Sequence, residues 1–260
     1  MHSSQRYGGD GGPPAGSVAP DPRLPVQLAR AGLRVIVLGD AVLDGWFTGR
    51  TDRLCREGPV AVVDVERRRF TPGAAGNLAV NLAALGARTT LLARVGDDAD
   101  GRRLCRDLDR AGVDGTGMVT EPGHATTTKV RVAASDQLLV RFDEHHPRPA
   151  PATTAGELLA RLDAELGTAD AVVVADYGLG LLGAPVRDHL ARIRDRITLL
   201  VVDAHDCRRW ARTRPDLVTP SAQEAARLVP GALSARGGDR AEAVEGVAGR
   251  LLRRCGARRA

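Results

Sequence analysis

Aromatic residues are scarce, at 3% of the 260-residue chain. With 43% of the chain hydrophobic, its core must come from Val, Leu, Ile and Ala, and few rings are available for stacking on bases. Lysine is nearly absent. Of 37 basic residues only Lys129 is a lysine, and the arginines are interspersed with 32 acids, so the net charge of +5 makes no basic stripe. Clusters such as Arg67-Arg68-Arg69 and Arg253-Arg254 read as solvated faces, and no nucleic acid is expected as a partner. There is no apolar run long enough to cross a bilayer and no apolar secretory segment at the N-terminus. No membrane partner is therefore expected, and the expected compartment is the cytoplasm. The four cysteines, Cys55, Cys105, Cys207 and Cys255, are scattered without a CxxC pair, which points to reduced thiols. No G-x-x-x-x-G-K-[ST] loop occurs, and no G-x-G-x-x-G follows the first apolar run. Those absences count against a P-loop nucleotidase and a standard dinucleotide dehydrogenase. The histidines, including His145-His146, lack metal-ligand spacing and read as surface residues.

What is present centres on Thr71 to Gly86, TPGAAGNLAVNLAALG. Gly73 and Gly76 bracket two alanines, and Asn77 opens a run with Leu78, Leu82 and Leu85 at helical spacing, ended by Gly86. The pattern predicts a glycine-rich turn feeding a closely packed helix. Such a helix start can offer its unpaired first amides to a hydroxyl or phosphate oxygen, with Asn77 adding a donor and acceptor. A tight turn before an ordinary core helix reads equally well from these residues alone.

Residues 1 to about 25, rich in Gly, Pro and Ser, read as a disordered leader. Strands are expected at Arg34–Leu38, Val60–Val65, Thr89–Arg94, Ala171–Ala175, Thr198–Val202 and Leu217–Thr219. Helices are expected near 101–111, 154–166 and 185–195, from about Ser221, and near 240–254. This repeated alternation argues for a parallel sheet covered by helices. The β-rich pieces near 45–70 and 126–143 fall outside that rhythm and read as a small separate sheet, a lid. The second contains a hairpin turning at Ser135-Asp136-Gln137.

Ligands of an open parallel sheet collect beyond the carboxyl ends of its strands. Acids follow several of the expected strands: Asp40 and Asp44, Asp97 and Asp98, Asp176, Asp203, and Glu224 after Ser221. One such acid is usually a helix cap or turn former. Five positions on one edge suit hydroxyl recognition and a magnesium–phosphate site.

The sequence resembles the ribokinase-like (phosphofructokinase-B type) carbohydrate kinases, and among them the kinase domain acting on D-glycero-β-D-manno-heptose 7-phosphate. The resemblance rests on Gly39–Asp44, Pro72–Gly86, Val95–Asp98 with Gly101, Ala111–Asp114, Thr128–Val132, Gln137–Asp143, Ala175–Gly178 and Thr219–Glu224, in that order along 33–260. It implies an α/β fold, a three-layer α/β/α sandwich with a β lid, and transfer of the γ-phosphoryl of ATP, with Mg2+, to a sugar hydroxyl. By match, Asp44, Gly73, Asn77, Lys129, Arg131 and Arg141 would bind a sugar phosphate, the last three from the lid. Asp176, Ser221 and Glu224 would lie on the nucleotide side, with Glu224 toward the metal. A homodimer through the lid strands is a further expectation.

The sequence departs from the family pattern in several places. Gly73-Ala74-Ala75-Gly76-Asn77 stands for Gly-Gly-Ala-Ala-Asn, Leu179 and His205 replace lysines, and Ser221 replaces an asparagine. The Gly-Ala-Gly-Asp segment that supplies the family's anion hole and aspartate base does not occur in these 260 residues. No catalytic residue is therefore assigned. The expectation is a fold incomplete at its C-terminus, lacking the ATP-binding part, and a chain weak or inactive alone. Alternatives are a non-catalytic sugar-phosphate-binding or regulatory protein, or another ribokinase-family sugar or nucleoside kinase.

Overall fold

The computed structural model describes residues 21–144, 147–230 and 240–260. Most of the expected leader and the His145-His146 doublet lie outside the described residues. The chain begins with α1 (Leu24–Ala31), β1 (Arg34–Gly39), β2 (Ala41–Leu54), β3 (Ala61–Ala74) and α2 (Ala75–Ala84). It continues through β4 (Arg88–Leu92), β5 (Arg94–Gly96), α3 (Ala99–Arg110), β6 (Val119–Glu121), β7 (Thr128–Ala134) and β8 (Gln137–Glu144). Then come α4 (Ala152–Glu165), β9 (Ala171–Asp176), α5 (Ala184–Arg192), β10 (Leu200–Ala204), β11 (Leu217–Val218), α6 (Ala222–Leu228) and α7 (Arg240–Cys255).

Five strands form one parallel sheet in the order β11-β10-β9-β1-β4. Because both faces are covered, the strands read as continuous apolar runs. Ile36 and Leu38 of β1 face a core completed by Leu158 and Leu162 of α4, Leu190 of α5 and Leu251 of α7. Val35 and Val37 face the opposite core with Ala75 and Ala79 of α2 and Leu104 and Leu108 of α3. The result is the α/β/α sandwich the sequence implies. Chain crossings leave β1 in both directions, to β4 on one side and to β9 on the other. The crevice beyond the end of β1 is thus the ligand position of this sheet type.

A four-stranded lid, β3-β2-β7-β8, grows directly out of that position, since only Asp40 separates β1 from β2. β2 pairs antiparallel with β3 and parallel with β7, and β7 turns into β8 through Ser135 and Asp136, both at positive φ (49° and 62°). Positive φ at both central residues is the hairpin geometry matched to strand twist. Alternation gives the lid two faces. Gly45 allows Phe70 and Val130 to close on the apolar one: a Cβ at residue 45 would lie 3.1 Å from the Phe70 ring and 3.0 Å from Val130. Phe47 meets Phe70 and Phe142 edge-to-face there, at 5.8 and 6.3 Å between centroids.

Several expectations need correction. Thr71–Ala74 is not a turn but the end of the 14-residue strand β3, and α2 begins at Ala75 rather than Asn77. The Val60–Val65 run is only the first part of that strand. The buried stripe of α2 is Ala75, Gly76 and Ala79; Leu85 caps the helix and is exposed. The small residues let α2 lie close on β1, where a Cβ at Gly39 would sit 3.0 Å from that of Ala75. No helix is expected between the leader and Arg34, yet one is present. Leu24–Ala31 is helical, has Pro at its start and Gly32 at φ 60° after its end, and buries none of its residues. The single strand expected at Thr89–Arg94 is two, β4 and β5, broken at Ala93.

Candidate functional site

Asp40 and Asp44 lie on either side of the point where the sheet becomes the lid. Asp40 is buried, and its Oδ2 accepts hydrogen bonds from the amides of Tyr177 (2.9 Å) and Leu179 (3.1 Å). Its own amide donates to Ala175 O and its carbonyl accepts from Ala75 N. One residue thus ties together β9, the loop after it and the first turn of α2. Burial raises the Asp40 carboxyl to about 6; the Leu179 amide opposes this and the nearby Asp176 carboxylate adds to it. The Ala75 amide, a candidate donor to a ligand, is spent on this internal bond.

Asp44 points from β2 toward the lid's polar face. Its Oδ1 accepts from Arg131 Nη1 at 2.9 Å, with both side chains about one quarter exposed. The Arg131 guanidinium also covers the Trp46 indole, 5.4 Å from its centroid. Gly73 makes the Asp44 position possible: a Cβ there would overlap Asp44 Oδ2 and lie 2.8 Å from its Cγ. Next to Gly73, Ala74 adopts φ 52° and ψ −125°, a conformation costly for any residue with a Cβ.

The register of the lid orders the remaining polar residues. Thr71, Asp44, Lys129 and Asp143 form one cross-strand row; Arg69, Trp46, Arg131 and Arg141 form the next. Asp44, Gly73, Lys129, Arg131 and Arg141 are therefore brought to one face of the lid. Arg131 is neutralised by Asp44 and Arg141 by Asp143, at 2.8 Å. Lys129 makes no ion pair among the described residues. Asn77 is exposed in the first turn of α2, where its carbonyl accepts from Asn81 Nδ2. Sequence reasoning missed a groove of about 420 Å³ on the same face, lined by Trp46, Thr48, Arg67, Arg69 and Thr71. The arginine triplet is thus not one solvated face: Arg68 turns to the other side, over Phe47 at 5.0 Å. An alternating reading of β3 could have divided it.

The acids at the other strand ends are occupied within the protein. Asp176 Oδ1 accepts from Gly178 N and Oδ2 from the buried Trp210 Nε1 at 2.9 Å. Asp203 accepts from Tyr177 Oη at 2.8 Å and Thr219 Oγ1 at 3.1 Å. Burial and the Asp203 bond both raise the Tyr177 phenol above its ordinary range. Asp98 caps α3 through Gly101 N and holds Thr126 N, both at 2.7 Å. Ser221 and Glu224 form a capping box at the start of α6, and the second Glu224 oxygen meets His205 Nδ1 at 2.7 Å. Burial pushes the Glu224 carboxyl up, but its His205 and Ser221 hydrogen bonds outweigh that and hold it low.

A magnesium ion would therefore find both Glu224 oxygens engaged. No group of three or more His, Cys, Asp or Glu side chains is arranged to hold a metal among the described residues. The described residues do not form a preformed magnesium site.

A buried ion pair braces the loop after β9. Arg94 meets Glu121 at 3.2 Å, the two side chains 4% and 3% exposed. Arg94 Nη2 also donates to the carbonyls of Arg148 (2.7 Å) and Leu179 (2.9 Å).

The family model described as pfkB family carbohydrate kinase matches residues 33–249. The D-beta-D-heptose 7-phosphate kinase of Bordetella bronchiseptica is 40% identical over 200 residues, covering 76% of this chain and 61% of that protein. The bifunctional protein HldE of Trichlorobacter lovleyi is 40% identical over 150 residues, 58% of this chain and 30% of its own. The chain thus spans less than two thirds of these curated relatives. Among solved structures, Arabidopsis thaliana ribokinase complexed with ribose and ATP aligns with a TM-score of 0.60 at 17% identity, covering 85% of this chain and 69% of that one. A carbohydrate kinase from Agrobacterium tumefaciens gives a TM-score of 0.61 at 18% identity, covering 88% and 70%.

Proposed function

Because the chain belongs to the pfkB family of carbohydrate kinases, we propose that it carries the sugar-binding half of a kinase for heptose 7-phosphate. The observation that supports this most is the Asp44 carboxylate, fixed by Arg131 and fitted against Gly73 beneath a basic lid. A carboxylate is an acceptor for two sugar hydroxyls, and its ion pair with Arg131 keeps it oriented. Lys129 and the lid arginines supply the positive charge that a sugar phosphate needs. Asn77, exposed at the start of α2, is available to donate to and accept from another hydroxyl.

Family members generally use ATP with magnesium, which supply the transferred phosphoryl group and offset its charge. In this chain Asp176, Ser221 and Glu224 are engaged internally, and no Gly-Ala-Gly-Asp segment occurs in its 260 residues. Assayed alone, the chain should transfer little or no phosphate from ATP to heptose 7-phosphate, because an oxyanion cradle and a general base each contribute orders of magnitude in rate. Robust turnover would contradict this. The engaged acids also favour a second reading, a sugar-phosphate-binding protein without kinase activity. Titration calorimetry with and without ATP separates the two: ATP binding favours the kinase half, and sugar binding alone favours the binder. The partner we propose is a sugar phosphate rather than a nucleic acid or a membrane. The edge of β8, unpaired among the described residues and carrying exposed Leu138, Val140 and Phe142, makes a lid-mediated homodimer part of the same reading.

A further inference from the structure

We infer that the phosphate of the sugar is held by Arg69 and Arg67 in the groove along β3, and not by Arg131 or Arg141. The inference rests on the sugar-phosphate reading above and assigns the anion's place within it. Arg131 is paired with Asp44 and stacked on Trp46, and Arg141 is paired with Asp143. A phosphate taken by either would leave a carboxylate without its cation. On the lid's other ion pairs, Arg50 is held by Glu66 and Arg53 by Asp64. Arg67 and Arg69 make no ion pair among the described residues, yet both line the groove that also holds Trp46, Thr48 and Thr71. They lack an acid partner, whereas Arg50, Arg53, Arg131 and Arg141 on the lid strands each have one; Arg68 lies over Phe47 on the other face.

Position supports the assignment. Thr71 faces Asp44 across β2 and β3, and Arg69 faces Trp46 in the next row. At a strand rise of about 3.3 Å per residue, Arg69 lies about 7 Å along β3 from the hydroxyl-reading row, with Arg67 a further 7 Å out. That separation runs along the strand backbone, and both rows face the same side of the lid. A phosphate on the terminal carbon of a heptose would project from the ring into the groove. There two guanidiniums offer forked donors, and the Thr48 and Thr71 hydroxyls can complete the cradle.

The test is titration calorimetry with heptose 7-phosphate and with the unphosphorylated heptose, on wild type, Arg69→Ala, Arg67→Ala/Arg69→Ala and Arg68→Ala. Circular dichroism checks that each variant is folded. Charge-assisted hydrogen bonds at this strength predict about 10- to 100-fold weaker binding of the phosphate ester by Arg69→Ala, and weaker still by the double variant. Affinity for the free heptose should not change, nor should Arg68→Ala change either. Arg69→Lys should keep part of the loss from appearing, since it retains the charge without the fork. Unchanged binding of heptose 7-phosphate by the double variant overturns the inference while leaving the sugar-phosphate reading intact. An equal loss in Arg68→Ala also overturns it, by showing a general charge effect. Wild type that binds neither compound overturns both.

Discussion

Ala74 should be a poorer residue than glycine at its own position. It holds φ 52° and ψ −125° at the junction of β3 and α2. For a residue with a Cβ such a conformation costs about 1–3 kcal/mol. It persists because the surroundings leave the junction no other path: Ala74 is paired in register with Ala41, and the next amide, of Ala75, is held by the Asp40 carbonyl. Glycine removes the steric cost but adds freedom to the unfolded chain, worth roughly 0.5–1 kcal/mol in the other direction. Ala74→Gly should therefore stabilise the protein by up to about 2.5 kcal/mol. The assay is urea denaturation, in which the midpoint rises with no change in slope. Ala74→Val should do the opposite, since branching at Cβ worsens the same clash. A midpoint for Ala74→Gly below wild type would refute the strain and with it the described path of the chain past the proposed sugar site.

Gly73→Ala should retain the fold, because the new methyl meets the end of a flexible side chain, yet weaken sugar binding by about tenfold or more as Asp44 is pushed from Arg131; unchanged calorimetric affinity would remove Gly73 from the site. Glu121→Ala leaves the Arg94 guanidinium buried without its partner and should cost about 3–5 kcal/mol in denaturant unfolding. A loss under 1 kcal/mol would mean the pair behaves as an exposed one. The Asp40 carboxyl, ordinarily near 3.8 and raised to about 6 by burial, binds more protons in the native than in the unfolded chain between those values. Its contribution must therefore fall as pH rises through that window, by up to ~3 kcal/mol, and stay constant above it. Asp40→Asn should abolish that component; an identical pH dependence of unfolding in the variant would contradict the assignment.

The sheet was legible because its strands are apolar runs buried on both faces, such as Val35–Leu38 and Val172–Val174. The second half of β3 was not, because Arg67, Arg68, Arg69 and Pro72 interrupt any apolar pattern after Val60–Val65. An edge strand of a half-solvated lid tolerates both charge and proline. α1 escaped notice for a different reason: it is only eight residues long, adjoins the Gly- and Pro-rich leader and buries none of its residues. At the site, Asp44, Gly73 and Arg131 were readable as a set through the family motifs, and register then brought them together. The internal partners of the strand-end acids were not readable. Trp210 lies 34 residues from Asp176 and His205 lies 19 from Glu224, and no local spacing announces either bond.

The measurement that bears most directly on the account is calorimetric titration of heptose 7-phosphate into wild type and Asp44→Ala. The account predicts saturable binding by wild type, and a loss of about tenfold or more in the variant as two hydroxyl contacts disappear. Equal affinity in the two proteins would contradict it.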